Sequence, residues 1–179
     1  MGGDESKSSS EEHTRQEDEA KDQSSAMGMS VADKFIDQLT AVYENYLDMK
    51  NSFVASDPSE VKKASTKVSA GLDKVDMGLL KGEMHNIWME QLKGLKQNLE
   101  IIQTENDIKN QRLAFADFND IFHNSVKHFG LTDKTVYYQF CFMARGTKGG
   151  YWLSEINEIK TPFLGEAMRS CGETKEVLK

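Results

Sequence analysis

Residues Thr104–Phe142 read TENDIKNQRLAFADFNDIFHNSVKHFGLTDKTVYYQFCF, and the period of the apolar residues changes inside this stretch. Up to Gly130, Ile108, Phe115, Phe118, Phe122 and Phe129 recur at helical spacing and form one apolar stripe. Thr104, with Asp107 three residues on, reads as the cap that starts this helix. Gly130 reads as its C-terminal stop, because glycine adopts the left-handed conformation that ends helices at no steric cost. Past it, Val136-Tyr137-Tyr138-Gln139-Phe140-Cys141-Phe142 is aromatic and β-branched and alternates by two, the signature of a strand. A helical body therefore gives way to a β-containing C-terminal segment.

Upstream, three more stripes have the helical period. Val31, Phe35, Leu39, Val42, Tyr46, Met49 and Phe53 form the first. Asp57-Pro58-Ser59-Glu60 restarts the chain as a helix, with Asp57 as N-cap and Pro58 in the first turn. Val61, Ala64, Val68, Leu72, Val75 and Leu79 follow as a weaker stripe with Gly71 inside it. Met84, Trp88, Leu92, Leu95, Leu99 and Ile102 form the third. Four amphipathic helices joined by short loops pack most simply as an up-down antiparallel bundle, each stripe filling one side of a shared core. The expected fold is mainly α: a four-helix bundle over residues 28–130 with a small β-hairpin and loop appendage over 131–179, packed as one domain. In that appendage Gly146–Gly150 is a turn and Tyr151-Trp152-Leu153 a partner strand. Thr161–Gly165 reads as a loop and Glu166–Cys171 as one or two helical turns. The aromatic residues Tyr137, Tyr138, Phe142, Tyr151 and Trp152 either pack on the bundle or expose an interaction patch.

The charge sits elsewhere. The chain of 179 residues has 29 acidic and 22 basic side chains, a net of −7. Met1–Ala26 holds eight of the acids and three of the bases and has no Val, Ile, Leu, Phe, Trp or Tyr. Such a stretch buries too little to offset its ordering entropy, so residues 1–27 read as a disordered acidic tether. The rest is nearly neutral and lacks the basic footprint that nucleic acid requires. No apolar run approaches the ~18 residues of a spanning helix. The Met-Gly-Gly start followed by a polar stretch looks like a processed bacterial lipoprotein in which a start Met replaces a lipidated Cys before Gly2. Membrane attachment is then expected only through that anchor.

Candidate chemistry concentrates in the appendage. Cys141 and Met143 are two apart, which on a strand puts both sulfurs on one face. Met168 and Cys171 are three apart, which on a helical turn does the same. Thiolate and thioether donors select soft ions such as Cu(I). If the loop folds one pair onto the other, the four sulfurs form a metal site, with His85 as a fifth ligand if its helix end reaches them. Met84 and Met89 would extend a copper-handling surface, or serve as ordinary core and half-exposed residues. Two further readings stay open. Cys141 and Cys171 would form a disulfide in an oxidising compartment, worth about 3–4 kcal/mol for a loop of this length, or each would be a buried small hydrophobe. His13 falls in the tether, and His123 and His128 are five apart, which is not a ligand spacing on a helix. Arg112, beside the fourth stripe, reads as a snorkelling surface residue or the partner of a carboxylate in the bundle. Glu83, Glu90, Asp117 and Asp120 read as solvated helix faces. There is no Gly-x-Ser-x-Gly, Walker loop or dinucleotide fingerprint, so no enzyme class announces itself.

Several blocks resemble a known family. Tyr138–Ala144, Gly149–Ser154, Ile159–Gly165, Met168 and Cys171-Gly172-Glu173 resemble the bacterial domain of unknown function 3347, as does Gln111-Arg112 with Phe115. Three positions depart from its pattern: Phe142 stands in place of a Pro, Thr161 of an Asn and Phe163 of a Tyr. The resemblance implies an envelope protein, often a lipoprotein, of Bacteroidetes-type bacteria, in the periplasm or on the outer membrane. It implies a role beside heavy-metal efflux or copper-handling envelope proteins, with Cys141, Met143, Met168 and Cys171 on the family's sulfur positions.

Overall fold

The computed structural model describes the backbone of residues 15–179 and the side chains of residues 33–179. Four helices are followed by a three-stranded antiparallel sheet. The helices are α1 (Arg15–Val54), α2 (Pro58–Asp73), α3 (Glu83–Thr104) and α4 (Ile108–Phe129). The strands are β1 (Val136–Cys141), β2 (Gly150–Ser154) and β3 (Glu173–Leu178). Because α1 begins at Arg15, its first turns overlap the stretch expected to be a tether. Residues 15–22 are rich in Glu, Gln, Ala, Lys and Arg, strong helix formers, and place acids at the positive end of the helix dipole. Residues 1–14, with His13 and the Met1-Gly2 start, and the side chain of Val31 lie outside the described residues.

The expected stripes are the core. Phe35, Leu39, Val42, Tyr46, Met49 and Phe53 are all buried on α1, as are Trp88, Leu92, Leu95, Leu99 and Ile102 on α3. Met84 is the exception. It is exposed, and its sulfur lies 3.2 Å from His128 Nε2 at the far end of α4. Asp57 caps α2 by accepting from the amides of Ser59 and Glu60. At α4 the cap is Asp107, which accepts from Lys109 N–H. Thr104 instead ends α3, because its hydroxyl turns back to the carbonyls of Glu100 and Ile101. Gly130 ends α4 at φ 81°.

Rings close the bundle between α1 and α4 and fix their antiparallel sense. Phe35 meets Phe129 at 4.9 Å between centroids, Tyr46 meets Phe122 at 5.1 Å, and Phe53 meets Phe115 at 4.2 Å. As the chain ascends α1 it descends α4. Buried Gln111 locks the opposite end, where its Nε2 donates to the carbonyls of Pro58, Ile102 and Glu105. One side chain thus ties the starts of α2 and α4 to the end of α3.

The appendage holds one strand more than the expected hairpin. The strand order is β2-β1-β3, with both pairings antiparallel. β3 escapes a sequence reading because Glu173-Thr174-Lys175-Glu176 carries no apolar residue, as an edge strand with one wet face allows. A bulge between Tyr138 and Gln139 breaks the alternation of β1. It lets Val136, Gln139 and Cys141 all be buried. No helix among the described residues is long and apolar enough to cross a membrane.

Candidate functional site

Helix α4 has a second buried side, and the appendage lies on it. Arg112, Ala116, Asp120, His123 and Lys127 recur at three or four residues and share that side, although Asp120 reads in sequence as solvent-facing. At its N-terminal end, the Arg112 guanidinium donates to the carbonyls of Pro162 and Leu164 in the 161–165 loop, and to Phe53 O and Ser56 Oγ of the bundle. Arg112 is therefore neither a snorkelling surface residue nor the partner of a carboxylate. It is half-buried and bonded to neutral oxygens. One turn on, Arg145 of the β1–β2 turn pairs with Asp117 at 2.9 Å and Asp120 at 3.7 Å, so those acids hold the appendage. Next, His123 stacks flat on Tyr138 at 3.5 Å and approaches Glu176 at 3.3 Å. Burial holds the His123 imidazolium below the usual histidine range, against the opposing pull of Glu176. Lys127 completes the row by pairing with the same Glu176 at 2.9 Å.

Further contacts join the appendage to α1, among them the Lys134–Glu44 pair at 2.8 Å. The Tyr46 hydroxyl donates to Asn119 Oδ1 at 2.5 Å and accepts from Leu153 N–H at 2.9 Å. Lys50, nearly inaccessible, pairs with Glu155 at 2.6 Å.

The sulfurs lie at the end of β1 and in the turn that precedes β3. Cys141 is the last residue of β1 and fully buried. Cys171 follows the 3-10 turn Glu166–Met168 and is half-buried, with its N–H bonded to Met168 O. Thirty residues apart in sequence, their sulfurs are 2.6 Å from each other. Gly172 permits this approach: at φ 142° it brings the start of β3 against β1, where a Cβ would lie 2.7 Å from Phe140 O. Burial, then the contact with Cys171, pushes the Cys141 thiol above its ordinary range, while the amides of Met143 and Ala144 pull it down.

The two methionines are less closely placed. β1 ends at Cys141, so Cys141 and Met143 do not share a strand face as expected. The chain turns there, with Ala144 N–H bonded to Cys141 O and Gly149 N–H to Ala144 O. That turn swings Phe142 and Met143 outward, to 65% and 40% exposure. Met168 is 39% exposed on its own turn. His85 stays apart from the sulfurs. It sits in the first turn of α3, whose Met84 meets His128, whereas the sulfur end of the appendage lies along the N-terminal half of α4. From Asp117 to His128 is about 16 Å along a helix axis.

The donor chemistry suits a soft ion, but the spacing suits a sulfur–sulfur bond. Two thiolates on one tetrahedral ion, at about 2.3 Å each, sit about 3.8 Å apart. The observed pair is closer than that. Among the described residues, no three His, Cys, Asp or Glu side chains gather as metal ligands. Metal uptake would therefore use the two thiols with the neighbouring thioethers, after the 166–171 turn has opened by about 1 Å.

Fold and site together define a helical-bundle protein carrying a small sheet with a cysteine pair at one end of its central strand. The chain belongs to the family described as Protein of unknown function (DUF3347), whose model matches residues 42–134, just over half of it. The matched span runs from α1 to the loop before β1, so it rests on the helices and on Gln111-Arg112. The sulfur-bearing blocks beyond Tyr138 lie outside it. No curated protein and no solved structure matches the chain.

Proposed function

We propose that the chain is a non-catalytic binding module of the bacterial cell envelope whose appendage is fastened by a reversible Cys141–Cys171 disulfide. The observation that carries this is the sulfur contact, made between a buried strand end and a surface turn thirty residues away. A disulfide donor of the envelope would take the two thiols to a cystine. One of its sulfurs is transiently bonded to Cys171, Cys141 displaces it, and the donor leaves with two thiols. The half-exposed Cys171 is the sulfur that such a donor can reach. Cystines persist in oxidising compartments, which agrees with an envelope location.

A second reading has its own observation. Met143 and Met168 are both exposed and flank the cysteines at two and three residues. Reduced to thiols, the pair with these thioethers would take a soft ion such as Cu(I), for transfer to heavy-metal efflux or copper-handling envelope proteins. The disulfide cannot bind, because only the thiolate ligates.

Cu(I) competition titration of the fully reduced chain, beside Cys171→Ser and Met168→Leu, tests this second reading. Stoichiometric binding lost in Cys171→Ser and weakened in Met168→Leu would make the disulfide the closed state of a metal site. Binding equal in all three would remove the sulfurs from metal handling. The fastening reading is tested separately, through stability. Cys171→Ser, the substitution at the less buried sulfur, should destabilise unreduced protein by about 3–4 kcal/mol and leave reduced protein almost unchanged. Equal loss in both states would overturn it.

A further inference from the structure

A cavity of about 420 Å³ opens between the first turns of α4, the β1–β2 turn and the 163–165 loop. Its volume falls in the lower part of the range of small-molecule sites, about 300–1,000 Å³. Leu113, Met143, Phe163 and Leu164 give it apolar walls. Its three charged lining residues are Lys109, Arg112 and Arg145, all basic, and no acidic residue lines it. That is unusual on a chain whose net charge is −7.

The three cations differ in how they are satisfied. Arg145 is paired with Asp117 and Asp120. The Lys109 amine makes no hydrogen bond or ion pair among the described residues. Arg112 is the informative one. Its Nε and Nη2 are held by three carbonyls and a serine hydroxyl, which fix the guanidinium plane. Its Nη1 has no partner among the described residues, and no carboxylate pairs with the group. Neutral oxygens satisfy N–H donors but leave a formal charge uncompensated, and a half-buried uncompensated charge is costly. A carboxylate entering from the cavity would complete the guanidinium and meet Lys109, while its organic part covers Leu113, Met143 and Phe163.

We infer that this cavity is a binding site for a small organic carboxylate, an anionic head joined to an apolar group, with Arg112 and Lys109 as its anion receptors. The anion receptors Arg112 and Lys109 are on α4, apart from the cysteine pair, while Met143 is a wall shared with the sulfur end of the appendage.

The test is an amide NMR titration of the full chain with phenylacetate, with acetate and phenylacetamide as the head and the body alone. The expected result is saturable shifts of the Leu113, Gly146 and Gly165 amides with phenylacetate, and affinities at least about tenfold weaker for the other two ligands, as loss of a charge-assisted contact or of apolar burial implies. Leu113→Glu places a carboxylate at an exposed wall position and should weaken phenylacetate by at least about tenfold while the remaining spectrum is unchanged. Arg112→Gln should do the same. Because Arg112 also holds the 161–165 loop, Leu113→Glu decides the matter if Arg112→Gln fails to fold. Equal binding of phenylacetate and phenylacetamide, shifts that never saturate, or undiminished binding to Leu113→Glu would overturn the proposal.

Discussion

Tyr46 shows how much one atom contributes between two layers. Its ring belongs to the apolar stripe of α1, and that much is legible in the sequence. Its hydroxyl, buried between Asn119 Oδ1 and Leu153 N–H, joins the bundle to β2, and no sequence period announces a contact to a residue more than a hundred positions away. Tyr46→Phe keeps the ring and strands both partners, so chemical denaturation should show a loss of about 1–3 kcal/mol. Arg112 teaches the same lesson. The sequence places it at the edge of the fourth stripe, but only the tertiary fold brings the carbonyls of Phe53, Pro162 and Leu164 to its guanidinium. Cys141 and Cys171 were legible as candidates. Their proximity was not, because it depends on Gly172 and on a strand that lacks any apolar residue in its first half.

At the scale of elements, α4 is the organising piece. Its phenylalanine stripe faces the bundle and was readable by period. Its row from Arg112 to Lys127 faces the sheet, and Asp117 and Asp120 read as a solvated face because charged groups that bond another element carry the same residue types as groups that bond water. Ala116, an apolar residue within that row, is the signal the sequence offered, and it is fully buried. The row makes the appendage pH-sensitive through His123. Its folded value lies below the usual one, so the unfolded chain takes up the proton first, and stability falls as pH drops below about 6.5 and through the folded value. His123→Phe keeps a ring against Tyr138 and should flatten the pH dependence of the urea midpoint below about pH 6.5. An unchanged slope would assign it to other groups. The cap at Asp57 is a simpler matter: Asp57→Ala frees two amides of α2 and should cost about 1 kcal/mol by the same measurement.

For the molecule as a whole, the bundle supplies a core that needs no staple, and the appendage is the part that needs fastening. The sheet has only three short strands, with a charged edge strand at the chain end. Its hold on the bundle includes the α4 row, Tyr46, the Lys50–Glu155 and Lys134–Glu44 pairs and the Phe163 ring against Phe115, while the sulfur contact ties the end of β1 to the turn before β3 within the appendage. Reduction should therefore loosen β3 before the bundle melts. Amide hydrogen exchange on addition of a reductant should rise at Thr174–Val177 while Leu95 and Phe118 stay protected. The family match covers the helices, with Lys109, Arg112 and Leu113 of the cavity, while the cysteine pair and the other cavity walls lie outside it. The most direct measurement is the intact mass of the full chain, produced in an oxidising compartment and alkylated under denaturing conditions without reductant. The account predicts no alkyl group on Cys141 or Cys171, and both labelled after reduction. Two labelled cysteines in the unreduced chain would contradict it.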